Sequence, residues 1–166
     1  MDEPLTVLQQ KIADAHGLAL SAIDVTRKVE ERVGDVELRG RLRAMRSDAE
    51  ETRDRCVVVA ESFGADVATD MLAHANAIHE RGADLAGLWF KAGTDALSAW
   101  SFLAMGEAAE VTTWAAVTEL ALQVAQADVA DLAAWALPLQ QEHLATALSG
   151  AVRLAGQEQA MAARFG

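Results

Sequence analysis

Six ionisable residues of this chain fall on or beside helical stripes that are otherwise apolar, and they set the chemistry open to it. Counting about 100° per residue, Glu107 falls inside the stripe formed by Trp100, Ala104, Val111 and Trp114, with Glu110 one turn on at its edge. His143 is central among Leu132, Ala136, Leu139 and Ala147, and Glu142 lies nearer the edge with Trp135. His16 sits in the stripe Leu8–Ile12–Ala19–Ile23, and Asp48 borders the next one, beside Met45 and one turn before Thr52. Burying an ionised carboxylate is costly unless it is paired, hydrogen-bonded or ligated. No Lys or Arg occurs between Lys91 and Arg153, so Glu107 and Glu110 are left with His143, His16, a bound cation or a raised pKa. Carboxylates and imidazole converging from several helices form a divalent-metal site in a bundle. The plainer reading makes the histidines hydrogen-bonded core residues and turns the glutamates to a wet interior or a subunit seam.

The elements that must position these groups are all helices. Leu5, Leu8, Ile12, Ala15, Ala19 and Ile23 share one face of a first helix that runs to Val33, where Gly34-Asp35 is a stop and restart signal. A second stripe, Leu38 through Cys56 and Val59 to Phe63, ends at Gly64, and so short a turn predicts an antiparallel hairpin over 5–63. Thr69 or Asp70 is expected to cap a third helix over about 70–91, weakened at Gly82 and Gly87. Thr94 or Asp95 caps a fourth helix to about Gln126. A fifth starts near Asp128 and runs to Gly156 or beyond, with a kink expected at Pro138. If these last two turn at 126–127, Glu110 comes level with His143, and a turn near residue 34 brings His16 level with Thr52. Both polar layers then lie roughly 25 Å from their turns, near mid-height. The expected architecture is a single all-α domain over 1–166: an antiparallel four-helix bundle with a connecting helix between hairpins 5–63 and 95–156.

Composition narrows the function. The chain has 14 basic and 25 acidic residues for a net charge of −11, which argues against nucleic-acid binding because phosphate recognition rests on Lys and Arg. The start, MDEPLTVLQQK, lacks a signal-peptide pattern, and no uncharged run approaches the ~20 residues of a membrane helix. A single cysteine, Cys56, suits a reducing compartment. A cytoplasmic protein without membrane or nucleic-acid partners is expected. Cys56 has no base among Thr52, Val59 and Phe63, so it reads as a buried structural thiol. The Arg39–Arg55 cluster, interleaved with acids, reads as i,i+3 and i,i+4 pairs, or as an anion-binding patch. His74 and His79 are expected at the surface. The four tryptophans read as core, with a small-molecule cavity between Trp114 and Trp135 as the alternative. The Ala-rich last helices point to a bundle centre or a homo-oligomer contact.

Three stretches carry a resemblance. AEETRDRCVVVAESFG (49–64), GEAAEVTTWAAVTELA (106–121) and PLQQEHLATAL (138–148) resemble the second, fourth and last helices of the ferritin-like superfamily, most nearly its bacterial YciF-type stress-protein branch. The resemblance spans about residues 5–155 and implies a di-iron-type fold, with Glu107, Glu110 and Glu142 at ligand positions. Ala19 stands where that pattern has a first-helix glutamate, Asp48 where it has a second-helix histidine, and no Glu-x-x-His occurs. Two functional expectations follow. In the first, Glu107, Glu110, Glu142 and His143, with His16 and Asp48 contributing from the facing hairpin, hold one Fe, Mn or Zn ion, and any catalysis is oxidative. In the second, a non-catalytic bundle has lost the metal and acts by self-association or by binding a protein partner.

Overall fold

The computed structural model describes residues 4–165; Met1–Glu3, which open the acidic start, and Gly166 lie outside the described residues. Among the described residues five helices account for the secondary structure and no strand occurs. Among the described residues no helix is long and apolar enough to cross a membrane.

α1 spans Val7–Glu30 and starts on a capping box, in which the Thr6 hydroxyl accepts from the Gln9 amide and the Gln9 side chain accepts from the Thr6 amide. α2, Val36–Ser62, is capped by the Asp35 carboxylate, which accepts from the amides of Glu37 and Leu38. α3, Ala65–Trp89, starts five residues before the expected Asp70. Gly64, at φ +100°, reverses the chain by itself, a conformation that favours glycine. The Thr69 hydroxyl donates back to the Ala65 carbonyl rather than capping anything. α4 spans Ala96–Val124 behind the Asp95 cap. α5, Ala127–Phe165, runs as one helix through Pro138. Pro138 and Ala134 are both exposed, so the carbonyl that loses its donor lies on the water side.

α1 and α2 form one antiparallel hairpin and α4 and α5 the other. Asp48 meets His143 and Glu37 meets Arg153, so α2 and α5 are antiparallel. α2 and α4 therefore run in the same direction, and α3 is the crossover that carries the chain from one to the other. It lies parallel to α1, seated where side chains are missing. A Cβ on Gly17 would fall 2.5 Å from the Ala75 carbonyl oxygen, and one on Gly82 would fall 2.4 Å from the Ser21 hydroxyl. Further pins join these two helices: His74 to Asp14 and His79 to Asp24, each at 2.8 Å. These histidines are half-buried partners of aspartates and not plain surface residues.

The apolar interior comes in two clusters. One gathers Leu8, Ile12, Ala15, Cys56, Trp114, Val117, Leu132 and Ala136. The other gathers Val25, Val29, Leu38, Leu42, Met45, Trp100, Leu103 and Leu154. On every helix of the two hairpins the break between clusters carries polar residues: His16, Asp48 and Thr52, Glu107 and Glu110, Gln140 and His143. The layer expected at mid-height is thus a seam between two cores.

Candidate functional site

Glu107 and Glu110 project from α4 into this seam, and each is 2% exposed. Their three-residue spacing puts both on the buried side of one helix. Across from them on α5, His143 is buried between two carboxylates. Its Nε2 lies 2.9 Å from Asp48 Oδ2, and its Nδ1 lies 3.6 Å from Glu107 Oε2, an ion-pair distance beyond hydrogen-bond reach. His143 therefore pairs with Glu107 and not with Glu110, as the register had suggested. α4 ends at Val124 and α5 resumes at Ala127, so the hairpin turns a residue earlier and shifts the level of its arms.

The electrostatics follow from burial. Desolvation opposes charge on His143, but the pull of Glu107 and Asp48 outweighs it and raises the pKa above the usual imidazole range. Glu110 is pushed well above the ordinary carboxylate range by burial first and then by the charge of Glu107. In the same core Cys56 is buried and pushed up to about 12 by desolvation and by Glu110, which suits an inert thiol. Both shifts favour the protonated form, of His143 between Asp48 and Glu107 and of Glu110 beside Glu107. Glu107 Oε2 and Glu110 Oε2 have no hydrogen-bond partner, and neither do Trp114 Nε1 and Gln140 Oε1.

The six residues singled out in the sequence separate into three groups. Asp48, His143 and Glu142 line a groove of about 290 Å³ on the α2–α5 side, where Glu142 is exposed. Glu107 and Glu110 line a larger cleft on the opposite side, between α1, α3 and α4. The His143–Glu107 contact joins the two. His16 stands apart; it is buried beside α2, and burial together with the charge of Arg53 lowers its pKa while Asp54 opposes them. Among the described residues no three His, Cys, Asp or Glu side chains are drawn together closely enough to hold a metal ion as arranged.

Sequence reasoning missed two features. The arginines of α2 do not pair only along their own helix: Arg39, Arg43 and Arg46 all reach Glu30 on α1. The open cavity is not between tryptophans. Trp114 is fully buried, and Trp135 lies under Arg55, whose guanidinium is 4.1 Å from the ring centroid. The small residues Gly82, Gly106 and Ala109, which line the larger cleft, were the available signal. Comparison with protein-family models, curated proteins and solved structures finds no match for this chain.

Proposed function

We propose that this protein is a ferritin-like bundle with a reduced divalent-cation site. Glu107, Glu110 and His143 would be its ligands, and Asp48 would position His143. The observation that carries the reading is the pair of buried carboxylate oxygens without a hydrogen bond, Glu107 Oε2 and Glu110 Oε2, in a seam that no Lys or Arg enters from α4 or the first half of α5. The topology supports the fold assignment, since two antiparallel hairpins joined by one long crossover are the ferritin-like arrangement. The donor chemistry supports the metal. Two carboxylates and an imidazole suit Mn²⁺, Fe²⁺ or Zn²⁺, and a ligating histidine ordinarily donates its other ring N–H to a carboxylate, the place Asp48 takes. The surroundings of His143 and Glu110 favour their protonated forms, and a divalent cation would displace those protons, so binding should strengthen as pH rises. Neither Glu142, exposed on the outer face, nor His16, beside Arg53, belongs to this ligand set. When bound, the ion would supply Lewis-acid and, for Fe or Mn, redox chemistry, while the chain holds it in a largely apolar interior.

The test is thermal unfolding after chelator treatment, with and without added Mn²⁺, Fe²⁺ or Zn²⁺. At a hundredfold excess over Kd a single site adds ~2.7 kcal/mol, a rise of roughly 5–10 °C for a domain of this size. Glu107→Gln should abolish the rise. No shift with any of the three ions would refute the proposal. It would favour the second reading, a non-catalytic bundle that self-associates through the exposed Leu122, Leu148 and Val152 of α4 and α5.

A further inference from the structure

The cleft on which Glu107 and Glu110 open has a volume of about 430 Å³, within the range of small-molecule sites. Its walls come from α1 (Leu18, Val25), α3 (Ile78, Leu85) and α4 (Phe102, Met105). It exists because α3 packs on α1 and scarcely meets α4, and because the small residues Gly106 and Ala109 of α4 leave the space unfilled. Leu85 and Met105 are 59% and 51% exposed at its sides, so apolar surface stands open to water. The walls are almost wholly apolar, yet the lining includes Glu107 and Glu110, each 2% exposed; Glu110 Oε2 has no hydrogen bond, and Glu107 Oε2 has only the 3.6 Å ion pair with His143 Nδ1. An acceptor left without a donor in such a place costs free energy that a guest can recover.

We infer that this cleft binds a small organic monocation, with an alkyl or aromatic body against Leu18, Ile78, Leu85 and Met105 and a primary-ammonium head on Glu107 and Glu110. An ammonium group brings three N–H donors and no acceptor, which answers two carboxylate oxygens that lack hydrogen bonds. A carboxylate or phosphate head would add negative charge to the pair. Arg81 is the remaining charged residue of the lining, and it disfavours a second ammonium at the outer end of the guest. Monoamines are therefore the class, ahead of diamines of equal length. The inference does not depend on the metal reading. The two guests seek the same oxygens and exclude one another.

The experiment uses the full chain, freed of metal by chelator, titrated calorimetrically with n-hexylamine, 1,6-diaminohexane, hexanol and hexanoate. Hexylamine is expected to bind at least tenfold more tightly than the other three. Gly106→Leu should abolish that binding. A Cβ at Gly106 meets nothing within 4 Å, and leucine is the better helix former, so the variant should fold. Glu110→Gln should weaken hexylamine at least tenfold while keeping the shape of the site. Equal binding of hexylamine and hexanol, or hexylamine binding that survives Gly106→Leu, would overturn the inference. Absence of hexylamine binding in a protein that Mn²⁺ still stabilises would overturn it while leaving the metal proposal intact. Hexylamine binding without any metal effect would do the reverse.

Discussion

Glu30 on α1 receives Arg43 and Arg46 from across the hairpin, with Arg39 at 3.8 Å, and their hydrogen bonds hold its carboxyl below the ordinary range. Glu110, in the seam between the two cores, faces burial and the charge of Glu107 with no cation at hand, and its carboxyl is held well above that range. The two sites use one side chain under opposite electrical conditions. The first is complete as it stands, charge answered by charge at the protein's edge. In the second, burial and a neighbouring negative charge both favour the protonated carboxyl. A group whose needs are met by its own fold explains itself as stability, whereas a group left short of a donor points outward to something the fold is built to accept.

That contrast can be strained from both ends. The largest effect is expected from His143→Leu, which strips the positive partner from buried Glu107 and from Asp48. Breaking a buried pair from one side costs about 3–5 kcal/mol, so the melting temperature should fall by roughly 6–20 °C. Next comes Glu110→Leu, which removes an unpartnered buried carboxyl and should stabilise by about 1–3 kcal/mol; a loss on that scale would mean that Glu110 already has what it needs.

The pH dependence distinguishes the two sites as well. The folded state keeps Glu110 protonated above the pH at which an unfolded glutamate ionises, so stability should decline as pH rises past about 4.5 and until Glu110 itself ionises. His143 acts in the same direction. Its contribution is complete below about 6.5 and is lost as pH rises through its raised folded pKa. Glu30, held low, acts oppositely: its contribution is present above about 4.5 and lost as pH falls through its folded pKa. Melting temperatures read from pH 3 to 10 should thus form a dome, and Glu110→Leu should flatten its alkaline side alone. The smallest change is expected from Glu30→Gln, a loss of no more than ~1 kcal/mol given the partial exposure of its arginines, visible as a weakened acid limb.

The sequence made the helices legible because stripes, caps and the Gly34 and Gly64 stops agree with one another. Burial of Glu107, Glu110, His16 and His143 was legible for the same reason, since helical phase alone puts them inward. The start of α3 was not. Gly64 carries the whole reversal, and the spacing of Thr69 and Asp70 imitates a cap. The pairing of His143 with Glu107 depends on one residue at the α4–α5 turn, finer than periodicity resolves. The fates of Glu142 and His16 depend on which neighbour packs over them, and phase on a single helix holds no record of that. The cleft was invisible for a related reason, being a place where α3 and α4 fail to meet.

The central claim is that Glu107, Glu110 and His143 share a cation, and anomalous diffraction from crystals grown in Mn²⁺ tests it most directly. One strong peak is expected within bonding distance of both carboxylates and of His143 Nδ1, with Asp48 still on Nε2. Anomalous peaks confined to the acidic surface, with the seam between the two cores empty, would contradict it.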